Sequence, residues 1–230
     1  MLKKPFISIL LILTMAVNAG GMHLCMSHQK DTLPDNQALI NGRIWANHYY
    51  MISGDQFLFS NVFLNGSISM KGRFFKEVIL KYDILNDELL MPLDSGKVLQ
   101  INKQLVDSFT LSFHNRTYHF TKAGSVNPAL PTGFINILYK GKNVLAVKYM
   151  KKIDRLNIEG TVDNFYLLTR IYLVSDKKVT LLRNKRDLYE AAEPYKSKLK
   201  AFFKKQIIYY DRNNPDSYIP VLKYLDKISQ

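Results

Sequence analysis

The stretch from Leu80 to Leu90 constrains this chain more than any other. Val78, Leu80, Tyr82 and Ile84 share one parity and Glu77, Lys81 and Asp83 the other, the period-two alternation of a half-buried strand. Asn86-Asp87 supplies turn residues that tolerate positive φ and bond their own backbone, and Glu88 to Leu93 resumes an apolar run. The segment reads as a central β-hairpin.

Short extended segments divided by turns surround it. Arg43 to Ile52, with Trp45, Tyr49 and Tyr50, reads as a first strand or an ordered loop, and Gly54-Asp55 turns the chain toward Phe57-Leu58-Phe59. Val62, Leu64, Ile68 and Met70 oppose Asn65, Ser67 and Ser69, and Lys71-Gly72 closes that strand onto Arg73 to Ile84. Beyond the central hairpin, Asp94-Ser95-Gly96 leads into Val98 to Ile101. Phe109, Leu111 and Phe113 then alternate with Ser108, Thr110 and Ser112, and after His114-Asn115-Arg116, Tyr118 and Phe120 alternate with Thr117, His119 and Thr121. One face of these two strands must see water or a polar groove. Lys122 to Thr132, with Gly124, Pro128 and Pro131, reads as an irregular, mobile loop. Phe134 to Tyr139, Val144 to Met150 and Phe165 to Val174 carry apolar residues on both parities, which predicts strands covered on both faces, and Val179 to Leu182 is a short last strand.

The pattern changes at about Asn184. Asp187 to Glu193 and Tyr195 to Gln206 favour helix on either side of Pro194, and Leu199, Phe202 and Phe203 form a stripe at helical spacing. Tyr218, Val221, Leu222, Leu225 and Ile228 recur as one face of a terminal helix, with Pro220 in its first turn. Strands first and helices last predict an α+β domain: a mostly antiparallel β-meander of about eight to ten short strands, then two or three C-terminal helices. The expected layout is a single domain over 39–230, with a β-rich part over 39–183 and a basic helical part over 184–230.

At the other end, Lys3 and Lys4 precede an apolar run from Pro5 to Val17, and Val17-Asn18-Ala19 offers the small residues that a leader peptidase reads. Residues 1–19 therefore read as a signal peptide, with cleavage after Ala19 or after Gly21, and 20–38 as a flexible leader. The run is shorter than the roughly 20 residues of a membrane-spanning helix. Cys25 would be a lipid attachment point in an exported lipoprotein, but the bulky Leu24 before it argues against lipidation. As the only cysteine it can form no intramolecular disulfide, so stability rests on an ordinary core.

Several of these segments together resemble an uncharacterised family of small exported bacterial proteins: Gly54-Asp55-Gln56-Phe57, Leu80-Lys81-Tyr82-Asp83, Asn86-Asp87-Glu88, the Leu138 to Lys142 turn and the basic C-terminal helices. The resemblance implies export and a single domain, and carries no site with it.

The net charge of +13 is unevenly placed. Residues 20 to 139 carry 10 Lys or Arg against 9 Asp or Glu, whereas 140 to 230 carry 20 against 10. In an exported protein that basicity points to lipid head groups, lipopolysaccharide phosphates, acidic glycans or an acidic partner rather than to nucleic acid. Lys196, Lys198, Lys200, Lys204 and Lys205, opposite Phe202 and Phe203, resemble an amphipathic helix that makes peripheral membrane contact; the other reading packs the aromatics on the sheet and leaves the lysines solvated. Trp45, Tyr49, Tyr118 and His119, with Tyr50, would line a groove for a sugar or a peptide.

Motifs of catalysis are sparse. His23, Cys25 and His28 supply three ligands where a structural zinc site needs four, and His114 and His119 flank Arg116. Asp83, Asp87 and Glu88 would serve as acid and base on a glycan or as calcium ligands, yet sit at a tight turn where backbone needs alone explain them. No Gly-x-Ser-x-Gly elbow and no phosphate-cradling glycine loop occurs. The expectation is a non-catalytic protein of the periplasm or cell envelope, without cofactor or metal, that binds a protein partner or an anionic component through its basic C-terminal region. Two alternatives stand beside it: a hydrolase or carbohydrate-active enzyme using Asp83 and Asp87, and an accessory subunit of an envelope assembly.

Overall fold

A computed structural model describes residues 36–155, 162–175, 178–205 and 210–229. The expected signal peptide, both expected cleavage positions, Cys25, His23 and His28 lie outside the described residues, as does most of the expected leader. The body over residues 34–230 clusters as one compact unit.

Its frame is an antiparallel sheet of eleven strands: β1 (Gly42–Ile44), β2 (Leu64–Met70), β3 (Arg73–Asp83), β4 (Glu88–Pro92), β5 (Val98–Ile101), β6 (Val106–Phe113), β7 (Arg116–Lys122), β8 (Phe134–Lys140), β9 (Val144–Asp154), β10 (Asn164–Ser175) and β11 (Lys178–Leu182). The spatial order is β1-β5-β4-β3-β2-β6-β7-β8-β9-β10-β11. The class is α+β as expected, and the count exceeds the expected eight to ten. Three-residue β1 leaves the meander to pair with β5 (Arg43 opposite Gln100), and the aromatic stretch after Ile44 is loop.

Turn chemistry sets the registers. Lys71 and Gly72 both hold positive φ between β2 and β3, and His114 and Asn115 do so between β6 and β7, the two-residue turns whose twist matches the flanking strands. In the central hairpin Asp87 takes φ +58° and Asp83 pairs with Glu88. Register shifts interrupt the β2–β3, β2–β6 and β8–β9 ladders, and the first falls on the long strand β3. Gly66 faces Val78 but Ile68 faces Phe75, so β3 carries an extra residue, and Glu77 beside it has φ +55°.

The curled sheet encloses its main core, built from Ile68, Phe75, Leu80, Tyr82, Phe109 and Phe120 with their neighbours. Phe109 and Phe120 stack at 4.8 Å, and Tyr82 meets both edge-on. The opposite parity of β3 is not solvated where the sequence alternation predicts polar exposure. Leu58 N donates to Tyr82 O and Ile84 N to Gln56 O, so the 56–58 segment lies along β3 and buries Lys81 and Asp83. Lys81 Nζ sits over the rings of Phe57 (4.2 Å) and Phe63 (4.4 Å) and donates to Asn61 Oδ1. Burial pushes its pKa down.

Strand β9 over Leu145 to Lys148 and strand β10 over Ile171 to Val174 are covered on both faces, as their double parity predicts, whereas Tyr166 and Leu167 in the first half of β10 are exposed. Leu145, Ile171 and Leu173 pack under the C-terminal helices, while Ala146, Tyr172 and Val174 pack against Ala123 and Leu130. The 122–132 stretch is thus irregular but anchored, with one helical turn, α1 (Ala123–Val126), and buried Ala123, Asn127 and Leu130. Helices α2 (Lys185–Ala191), α3 (Lys196–Lys205) and α4 (Ile219–Ile228) follow. Asn184 caps α2 through the amides of Arg186 and Asp187, which starts that helix two residues earlier than expected. Among the described residues no helix is long and apolar enough to cross a membrane.

Candidate functional site

The carboxylates of the central hairpin are consumed by structure. Asp83 is fully buried; its Oδ1 accepts from the amides of Leu85 and Asn86 and its Oδ2 from Asn86 Nδ2. Burial raises its pKa, and those three hydrogen bonds oppose the shift. Asp87 Oδ1 accepts from Tyr82 Oη (2.5 Å), Lys148 Nζ (2.8 Å) and Phe134 N (3.3 Å). Glu88 pairs with Lys103 at 3.0 Å. Such carboxylates brace a turn. Asp83 and Glu88 are register partners across the hairpin, and the Glu88 charge adds to the upward push on the Asp83 pKa.

The aromatics proposed for one groove do not meet in one. Trp45 (6.0 Å from the Phe57 ring) and Tyr49 (hydroxyl on Asn86 Oδ1, 3.2 Å) line a cleft over the central hairpin. Tyr118 belongs to the core side of the sheet, against Phe59 and under the Arg116 guanidinium. His119 points the other way, into an open cleft of about 680 Å³ where Ser108, Thr110, Thr121 and Ser125 supply hydroxyls. That cleft is the polar face which the alternation of β6 and β7 requires. Adjacent positions of a strand face opposite sides, so Tyr118 and His119 could not share a wall.

Helix α3 decides between the two readings of its stripe. Leu199 is buried, Phe202 stacks on Tyr224 with ring centroids 4.1 Å apart, and Phe203 packs edge-on against Tyr189 and Tyr210. The apolar side is spent on the protein's own core. Lys198, Lys200, Lys204 and Lys205 remain exposed, and none has an ion-pair partner among the described residues; Lys196 is half-buried beside Glu193 at 3.5 Å.

A second basic feature carried no signal in the sequence. Arg170 on β10 lies opposite Lys148 on β9, and β11 ends with Leu182 opposite Ile171, which brings Arg183 next to Arg170. Like charges placed across a sheet destabilise it. Arg170, Arg183 and Arg212 line a cleft of about 690 Å³ with Leu167, Leu181 and Asn213. Asp187 answers only one of the three, accepting from the Arg183 amide (2.7 Å) and guanidinium (3.3 Å). Burial alone would raise the Asp187 pKa, but these bonds outweigh it and hold the carboxyl below its usual range. Planar guanidinium forks of this kind suit phosphate or carboxylate oxygens.

No family model matches the chain, and neither a curated protein nor a solved structure matches it. The site therefore rests on its own geometry. Among the described residues no group of three His, Cys, Asp or Glu side chains is placed to hold a metal ion.

Proposed function

We propose that this is an exported, non-catalytic protein of the periplasm or cell envelope that holds to an anionic, phosphate-bearing membrane surface through its basic C-terminal region. One observation carries the reading: α3 packs Leu199, Phe202 and Phe203 against the protein's own core and leaves four lysines exposed, without an ion-pair partner among the described residues. Contact with the surface is then electrostatic and peripheral, without insertion of Phe202 or Phe203. Each lysine near an anionic surface contributes on the order of 1 kcal/mol, so four give useful retention at low salt. Export is supported by the Lys3-Lys4 start, the apolar run and the Ala19 cleavage position.

The test is sedimentation with phosphatidylglycerol vesicles across a salt series. Binding should fall steeply as salt rises and vanish when Lys198, Lys200, Lys204 and Lys205 become Glu, with the melting temperature unchanged. Binding that is insensitive to salt, or that persists in the charge-reversed protein, removes the proposal.

A further inference from the structure

The clefts over the central hairpin form a separate, differently built site. Its floor is the sheet face opposite the main core. Leu89, Met91, Leu99 and Ile101 point into that core, so the alternate positions Glu88, Gln100 and Arg43 point outward, with Arg43 directly across from Gln100. Trp45, His48 and Tyr49 wall one end, where the cleft measures about 400 Å³. A second cleft of the same size shares Arg43, Glu88 and Gln100 with the first and continues past Asn102 to Lys103 and Gln104. A third shares Lys103 and Gln104 and runs on to Lys122 and Thr132. The first two clefts share that outward face as one groove; the third, lined also by Asp87 and the core residue Phe134, lies beyond it.

We infer that this groove binds a neutral oligosaccharide chain, with Trp45 as the stacking platform and the amides of Gln100 and Asn102 as the planar hydrogen-bonding groups. This reading is independent of the basic surface. The lining chemistry argues for it in three ways. Aromatic rings present an apolar face to a sugar ring while side-chain amides offer both a donor and an acceptor to its hydroxyls. Charge in the groove is mixed and not of one sign: Glu88 is tied to Lys103, while Arg43 keeps its charge and its Nε donates to the neutral Gln100 Oε1 at 3.0 Å. Apolar side chains next to the aromatic end are left open to solvent, with Tyr50 78% and Met51 76% exposed, beside Ile44 at 55%. Solvent-exposed large apolar side chains gathered in one place mark interaction surfaces.

A peptide is the less fitting occupant. Strand addition needs a row of free backbone groups along a sheet edge, and β1 offers three residues. Asp83 and Glu88, register partners across the hairpin, also line the aromatic end; Asp83 accepts three hydrogen bonds from its own turn and Glu88 pairs with Lys103, so the proposed role is binding.

Trp45 is the only tryptophan in the chain, so its emission reports on this groove alone. Titration of the protein with cellohexaose, maltohexaose and chitohexaose should produce a saturable change in Trp45 emission with at least one of the three. Gln100→Ala should weaken that binding about tenfold without lowering the melting temperature, and calorimetry on Trp45→Phe should show a comparable loss. The α3 charge reversal should leave sugar binding intact, which separates failure here from failure of the vesicle experiment. Silence of Trp45 toward all three hexasaccharides overturns the inference. A response that Gln100→Ala does not alter, or a response to extended hexapeptides but to no sugar, overturns it as well.

Discussion

Asp87 and Lys148 form an ion pair at 2.8 Å across 61 residues of sequence, with the two side chains 23% and 7% exposed. Asp87 sits at the tip of the central hairpin and Lys148 on β9. Nearby, the Lys151 amide donates to Ile84 O, so the hairpin tip lies against β9 where β8 has already ended. Lys148 Nζ also donates to Phe134 O, and Asp87 accepts from Phe134 N. Two ions and three backbone or hydroxyl partners thus fasten the hairpin to the far side of the curled sheet.

Removing one ion alone should be costly, because the other is left buried and uncompensated. Lys148→Met is expected to destabilise the protein by about 3 kcal/mol, the lower end of the range for a broken buried pair, since Asp87 retains some solvent. Adding Asp87→Asn should recover part of the loss, because Asn still tolerates positive φ and accepts from Tyr82. Urea denaturation of the two single variants and the double variant gives the coupling directly. Additive losses would show that the pair does not act as a unit.

Gly133 is the neighbour that permits this arrangement. It has φ +91°, and a Cβ built there would fall inside the Asp87 carboxylate and against Lys148 Nζ. Gly133→Ala is therefore expected to cost about 2 kcal/mol or more, from the left-handed backbone and the displaced ion pair together. In the Lys148→Met background the same substitution should cost less, since part of the obstruction has gone. Equal costs in both backgrounds would assign the whole effect to the backbone.

What the sequence made legible was local. The turns at Lys71-Gly72, Asn86-Asp87 and His114-Asn115, the double-sided strands and the helices flanking Pro194 all announce themselves within a few residues. The bulge did not: Phe75 and Val78 both enter the core although they are three apart, which a strict period of two forbids until β3 gains its extra residue. Long-range polar contacts were equally silent. Arg116 binds Asp216 in bidentate fashion across 100 residues, and Asp226 of α4 accepts from Tyr139 Oη and from the amides of Lys142 and Asn143 at the β8–β9 turn. The site residues divide in the same way. Trp45 was visible as a lone aromatic, whereas Gln100 and Arg170 acquire meaning only through their partners across the sheet.

Phe202 separates packing from membrane insertion. Stacked on Tyr224 and half-buried, it should cost about 2 kcal/mol when replaced by Ala, less than a fully buried aromatic. Vesicle binding by the folded variant should stay within about twofold of the parent, because the lysines carry the contact. A stable Phe202→Ala protein that no longer sediments with vesicles would mean that the ring leaves the core to enter lipid.

Acid should act through Asp187. Against the upward push of burial, the Arg183 bonds hold its carboxyl below the usual carboxylate range, so the folded state binds a proton less readily than the unfolded chain does. The sign follows: this contribution to stability is complete above the unfolded value and drains away as pH falls through the folded one. Asp187→Asn should accordingly be less stable than the parent at about pH 7, with the gap closing as pH falls through and below the usual carboxylate range. The group also receives the Asn184-capped start of α2 and the Arg183 strand end, so its protonation loosens the joint between β11 and the helices. Melting curves of both proteins over that range measure the gap. A gap that does not change with pH would place the effect of the substitution in packing and remove Asp187 from the acid response.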